Sequence, residues 1–498
     1  ADAAGNVSIV ELAAGDGGIN PGNGSANITN LTNVNGTLYF QAYNPTNGDE
    51  LWKIDTSGTL SQINLYAGTG LYAGASGSSP NNLINVGGTL YFTAVGYDGV
   101  NFSTTYTGDE LWRIDPSTGN PTVISIVSGT GGSNPSNVTN IGGILYFQAY
   151  TPATGYELWK VDPADNLPSL VSDLSAGTNS SSPESIVSAG GAIYFIANNG
   201  TSGRELFRIT GAAAPELLDI RTGTNGSNPT NLIEVGGILY FLADNGINGQ
   251  ELWKVDPTTG APVQLEINSG NQPSYVNYLT KVGSKLYFSA YDVTNGYELR
   301  KIDTDGSLSR IDLGTDGSNP TNLTNVNGTL YFRSDNSYDG TTNVGYGQLW
   351  KLDSNDDPSV IPIGAGINPN AQVDNITLVG TTLFFSAYDA TNGIELWKLD
   401  TSGNAVLVKD IYVGANYSYP DNFFAVGGTL YFTAEDGVKG RELWKSDGTA
   451  TGTVLAKDIN GRTLPSNPTN LINVGNTLYF LADNGINGQE LWKVDPTT

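Results

Sequence analysis

A chain of 498 residues with 22 basic against 48 acidic side chains, a formal net charge of −26, has the length of about two to four domains. It lacks the clustered basic footprint that nucleic-acid binding requires, and the same balance disfavours anionic membrane surfaces. Cysteine, histidine and methionine are absent, which excludes disulfides, thiolate nucleophiles, histidine bases and every Cys/His metal site. No apolar run approaches the roughly 20 residues that span a bilayer, so no membrane insertion is expected. An acidic, Gly-, Asn- and Thr-rich chain without oxidisable sulphur has an extracellular or cell-surface composition. The missing initiator methionine points to a processed chain, as removal of a signal peptide ahead of Ala1 leaves, or to a segment of one.

In chain order, the first predicted element is a strand over Val7–Leu12 with no partner nearby. Ten repeats follow, each carrying an LYF run and then an ELW run, anchored at Leu51, Leu111, Leu158, Leu206, Leu252, Leu299, Leu349, Leu396, Leu443 and Leu491. A repeat at this interval is one supersecondary unit that buries its apolar face only by stacking on its neighbours. In the fifth repeat four strands are predicted: Asn231–Val235, Ile238–Ala243, Glu251–Asp256 and Val263–Ile267. The first two flank Gly236-Gly237, and most other repeats hold Gly-Gly or Asn-Gly there, the residues a two-residue hairpin turn needs. The second strand is bulky on both faces, as a sheet covered on both sides requires. No segment has a helical period. Four-stranded meanders of this length, each sandwiched between neighbours, describe a β-propeller.

The repeats deviate in step, five apart. The second and seventh alone enlarge the second loop, over Thr93–Asp109 and Arg333–Gly347, and each enlarged loop contains Tyr-Asp-Gly. The fourth and ninth alone place Arg before the Glu (Arg204-Glu205, Arg441-Glu442). The fifth and tenth are near copies: Ser466–Thr498 differs from Ser227–Thr259 only at Asn473, Asn476 and Thr477. The expectation is an all-β chain of two tandem five-bladed β-propellers, residues 1–259 and 260–498, with four antiparallel strands per blade. In each, an opening strand (Val7–Leu12, Val263–Ile267) closes the last blade and removes a sheet edge.

Glu442-Leu443-Trp444-Lys445-Ser446-Asp447-Gly448-Thr449 and the related ELWKID, ELWRID, ELWKVD and ELWKLD runs resemble the ELWxxDGT repeat of secreted bacterial proteins. The full motif stands once; elsewhere it drifts or loses the Asp (Thr210). Five blades of this length also resemble the tachylectin-type lectins in period and count, and tandem propellers resemble building blocks of microbial surface fibres. The resemblance implies a secreted propeller and transfers no binding residue.

All eight tryptophans occupy the ELW slot, with Phe207 and Arg300 in the other two repeats. Packing between adjacent blades is the expected role, ahead of a sugar-stacking ladder. The Glu before them, replaced once by Gln348, is read as an acceptor for the Gly-rich loop just before it. Carboxylates that recur in the same slot are scaffold, whereas a glycosidase needs a few non-equivalent ones; the chain is therefore expected not to be an enzyme. Asp303, Asp305, Asp353 and Asp356 lie in oxygen-rich turns, which leaves structural Ca²⁺ open beside plain turn chemistry and no other cofactor. Asn-x-Ser/Thr sequences are dense (Asn27, Asn30, Asn101, Asn137, Asn375, Asn416), as such a composition produces by chance. The expected function is a structural building block of a surface fibre, its copies assembled head to tail and its ends in phase for a further module. The alternative is a multivalent lectin or adhesin with glycan partners. Tyr97, Asp98, Gly99, Tyr338, Asp339 and Gly340 are the candidate interaction residues.

Overall fold

Each repeat folds as an antiparallel meander. In the fifth, the inner strand Thr230–Val235 turns through Gly236 and Gly237, at φ 60° and 84°, into a second strand, Ile238–Asp244. Positive φ at both turn residues matches the right-handed twist of the flanking strands, which is why Gly or Asn stands there. The third strand is Gln250–Val255 and the outer strand Pro262–Gln264. Leu239 to Ala243 are buried without interruption, so the second strand has no solvent face and its sequence does not alternate.

The computed structural model describes residues 6–11, 19–20, 25–45, 47–63, 65, 77–95, 109–127, 131–268, 272–313, 317–334, 347–364, 371–461 and 464–495. Among these the chain forms ten four-stranded sheets and no helix. The sheets are blades: the inner strand of each lies beside the inner strand of the next, and that of the tenth (Thr469–Val474) lies beside that of the first (Thr29–Val34). The architecture is one ring of ten blades. Two tandem five-bladed propellers are not formed, and the position expected to divide them, 259/260, falls inside the turn between the third and outer strands of blade five.

The reason is local. Asp256 caps that turn, its carboxylate accepting the backbone N–H of Thr258 (2.9 Å) and Thr259 (2.8 Å), so the strand that follows immediately pairs with blade five. The strand expected to open a second ring is thus used in place, and blade five has no edge for a distant strand to fill. Its inward side then meets blade six as every other pair meets. Val235, Tyr240, Leu242 and Leu252 of blade five form one core with Leu286, Phe288, Ala290 and Ile302 of blade six. Lys281 Nζ on the inner strand of blade six is 2.6 Å from Glu234 of blade five.

The N-terminal strand does close the ring, but a ring of ten. Asn6–Ile9 pairs antiparallel with Gln489–Asp495, with Val7 opposite Val494 and Ile9 opposite Trp492. Blade ten packs on blade one through Val474, Tyr479, Leu481 and Leu491 against Leu38, Phe40 and Trp52. The side-chain amide of Asn33 donates to the Asn473 carbonyl at 3.2 Å across the same junction. The tryptophans take the expected role: Trp52, Trp112, Trp253 and Trp492 are buried in clusters shared by two adjacent blades, and each indole N–H donates to an alanine carbonyl of its own blade at 3.1–3.2 Å. Arg300, in the slot of a tryptophan, is buried and paired with Asp292.

Val10 N–H donates to the Leu491 carbonyl at 2.8 Å, which makes Val7 and Val494 a non-hydrogen-bonded, closely spaced pair suited to a disulfide. In a chain without other cysteines, the double variant Val7→Cys/Val494→Cys is expected to oxidise to a single cross-linked monomer on non-reducing gels. Disulfide-linked dimers or ladders would show instead that the strand is exchanged between chains.

Candidate functional site

Because every blade is a meander, the second-to-third loops and the blade-to-blade connections share one face of the ring, the loop face. The two tight turns of each blade share the other, the turn face.

On the loop face the recurrent glutamate latches successive blades. Glu157, fully buried, accepts the Ser181 hydroxyl (2.5 Å), the Ser181 N–H (2.9 Å) and the Leu174 N–H (3.1 Å). Ser181 lies in the connection running to the next blade, so the partner is the segment after the blade and not the Gly-rich loop before the glutamate. The same contact recurs at Glu50–Ser78, Glu110–Ser133, Glu205–Ser227, Glu251–Ser274, Glu298–Ser318, Glu395–Ser418 and Glu442–Ser466. Glu490 accepts the Ile19 N–H at 3.3 Å, carrying the latch across the closure. Burial raises these carboxyls, those of Glu50, Glu395, Glu442 and Glu490 to about 7, although the hydrogen bonds pull the other way.

On the turn face, the four acidic candidates fall in the turns of blades six and seven. Burial works against the Asp356 carboxylate, but Lys285 (2.6 Å), Lys301 and the Tyr287 hydroxyl outweigh it and hold its pKa down at about 2. Asp303 lies 3.1 Å from Lys301. Asp305 caps its turn through the Ser307 N–H (2.9 Å), and Asp353 caps its own through Asn355 (2.8 Å) and Asp357 (2.9 Å). Asp303 and Asp356 therefore meet ammonium groups. Among the described residues no group of three carboxylates is gathered as an ion would need. A cavity of about 360 Å³ between these blades is lined by Lys285, Tyr287, Asp353 and Asp356.

Tyr97, Asp98, Gly99, Tyr338, Asp339 and Gly340 lie outside the described residues. The loop face presents a different set of aromatic groups. Tyr275, Tyr291 and Tyr297 of blade six form an edge-to-face cluster with centroids 6.1 and 5.4 Å apart. Tyr388, Tyr417 and Tyr419 form another, at 5.9 and 5.4 Å, where blade eight hands over to blade nine. Tyr275 and Tyr419 are 53% and 48% exposed. Beside the second cluster is a cleft of about 560 Å³ lined by Asp374, Asn375, Tyr419, Pro420, Asp421 and Arg441. Arg441 donates to the Tyr419 carbonyl (3.0 Å) and the Thr433 hydroxyl (2.9 Å) and stands 3.6 Å from Asp421. Burial raises Asp374, which accepts the Asn322 amide. Reading the sequence singled out Arg441 but neither cluster. The available signal was tyrosine in place of Asn in the Ser-Asn-Pro motif, at Tyr275 and Tyr419.

No protein-family model and no curated protein matches the chain. Among solved structures it is similar to a streptogramin B lyase (18% identity, 63% of this chain and 93% of that one, TM-score 0.31). It is also similar to a puromycin hydrolase S511A mutant (17%, 72% and 58%, 0.31) and a prolyl endopeptidase (13%, 74% and 55%, 0.34). The chain thus spans little more than half the length of the two hydrolases. These neighbours are enzymes, so the expectation that this chain is not an enzyme is withdrawn; at such TM-scores the likeness assigns it no reaction or substrate.

Two outcomes follow from the latch. In the unfolded chain the latch glutamates hold their protons only to about pH 4.5, whereas in the ring four of them hold theirs to about 7. Their contribution is complete below pH 4.5 and is lost as pH rises through 7. Turn carboxylates held near 2, such as Asp115 and Asp356, lose theirs as pH falls through that value. Thermal melts across pH are therefore expected to peak at about pH 4–5 and fall toward pH 8; a plateau between 5 and 8 would contradict this. Glu157→Ala takes the acceptor from the Ser181 hydroxyl and the Leu174 N–H, while the Ser181 N–H keeps the Tyr156 carbonyl at 3.0 Å, and is expected to cost about 1–3 kcal/mol in denaturant unfolding, with Glu157→Gln costing less. Equal, negligible effects would contradict the latch.

Proposed function

We propose that the chain is an extracellular adhesion ring, a closed scaffold whose loop face binds neutral glycans at several places. The observation that carries this reading is the pair of exposed tyrosine clusters on one face, one beside a polar cleft. A tyrosine face stacks on the C–H side of a pyranose ring, and neighbouring Asn, Asp and Arg groups supply directed hydrogen bonds to its hydroxyls. The net charge of −26 favours neutral over anionic sugars. Resemblance to the ELWxxDGT repeat of secreted bacterial proteins supports the extracellular setting, and weak repeated contacts on one rigid body gain strength through avidity.

Assembly of copies into a surface array is a second reading. It is favoured by apolar loop-face tips that stand free, Ile247, Val438 and Ile486 among them, the last 83% exposed. With the closing strand paired inside its own chain, such assembly would run through faces and not through exchanged strands.

The whole chain on a glycan array is expected to bind neutral glycans and to be displaced by the free sugar. The Tyr417→Ala/Tyr419→Ala variant is expected to weaken the signal while melting within a few degrees of the parent. Binding that survives this variant and Tyr275→Ala/Tyr297→Ala alike would overturn the reading. A wild-type chain that ignores every glycan and sediments as large oligomers would favour the array.

A further inference from the structure

The five-repeat period acquires a geometric meaning once the ring holds ten blades: repeats five apart stand on opposite sides of the axis. The two five-repeat halves are thus related by a pseudo-twofold along the channel, and any site built from residues that recur at this interval occurs twice, in opposite sectors of one face.

The cleft between blades eight and nine is such a site. The corresponding position lies between blades three and four. Arg441 and Asp421 correspond to Arg204 and Glu184, which form an ion pair at the same place in blade four. Asn375 donates its side-chain amide to the Pro420 carbonyl at 3.0 Å, tying the two walls of the cleft together; Asn137 does the same to Pro183 at 3.2 Å. The backbone repeats too: Asn375 and Asn137 are left-handed at φ 58° and 54°, and Tyr419 and its counterpart Ser182 at 45° and 49°. The aromatic wall changes sides. Where the cleft has Tyr419, Ile394 and Asp374, the corresponding position has Ser182, Tyr156 and Ser136, the Tyr156 ring lying 5.2 Å from that of Tyr150.

The neighbouring blades show what is particular to these two. In blades five and ten the same position carries a neutral pair, Gln250 to the Thr230 hydroxyl at 3.1 Å and Gln489 to the Thr469 hydroxyl at 3.4 Å. Asp49 and Asp109 hold the position before the glutamate in blades one and two, against Tyr297 and Gly347 five blades on, so what recurs with the five-blade period is the arginine–carboxylate pair and not charge in general. A guanidinium beside a carboxylate offers parallel N–H donors next to strong acceptors, the complement of two adjacent hydroxyls. With the cation already neutralised by its partner, the pair suits an uncharged polyol better than an acid.

We propose that the ring carries two copies of one cleft for a neutral hexopyranose on opposite sides of its axis, one around Arg441 and Asp421 and one around Arg204 and Glu184, and so cross-links glycans. This rests on the adhesion reading above. The test uses the full chain with methyl glycosides of glucose, galactose, mannose and N-acetylglucosamine for stoichiometry, and beads coated with the sugar that binds for cross-linking. Two equivalents that depend on these residues are expected on the parent, one of them on each of Arg441→Ala and Arg204→Ala, and neither on the double variant, with each altered cleft weakened roughly tenfold to a hundredfold. Either single variant is expected to coat beads without agglutinating them. Asp421→Asn and Glu184→Gln, which keep the side-chain shape, are expected to give the same pattern if an arginine variant melts early. One equivalent on the parent, or agglutination that survives a single variant, overturns the bivalent arrangement. Sugar binding indifferent to all four substitutions overturns these clefts and leaves the adhesion reading standing, whereas a parent that binds no glycoside removes both.

Discussion

A buried carboxylate, present in nine of the ten blades, constrains the molecule more than any other group. A glutamate at the head of a third strand has no solvent to satisfy it, and its acceptors are filled by the hydroxyl and amide of a serine in the connection that follows. That requirement draws the connection across the blade just completed and delivers the next inner strand alongside. The apolar surface then closes behind it, through cores such as the one joining Val235 and Leu252 to Leu286 and Phe288. Burying an acid is costly unless its hydrogen bonds are met. The latch therefore tolerates little variation: Gln348 replaces the glutamate in blade seven, and its side-chain nitrogen is buried without a partner.

The blade was legible in the sequence because each of its parts has a short-range cause. The Gly-Gly or Asn-Gly turn, the bulky second strand, the tryptophan slot and the unpaired N-terminal strand all follow from one repeat and its neighbours. Ring size is a different kind of quantity, since a duplicated module of five records how the chain was copied and not where its sheets close. The informative signal was the even interval from Leu252 to Leu299, which leaves no room for a linker between the fifth and sixth repeats. Equal spacing makes the fifth junction physically the same as the others, and a hairpin strand already at hand outcompetes one from the far end of the chain.

The candidate site was legible only as departures from the repeat. Arg204 and Arg441 stood out as paired exceptions, yet their partners Glu184 and Asp421 lie on inner strands some 20 residues earlier, a proximity fixed by the meander. The latch glutamates were recognised as acceptors but matched to the wrong segment, because the connection that fills them comes a strand and a turn later. Tyr417 and Tyr419 are unremarked among 26 tyrosines until folding brings them to Tyr388.

The central claim is that the interface between the fifth and sixth blades is the same as the other nine, so that the chain closes only once. Electron-microscopy class averages viewed along the axis decide it. A single ring with ten lobes around one channel is the predicted image; a pair of smaller five-lobed rings joined at one point would contradict it.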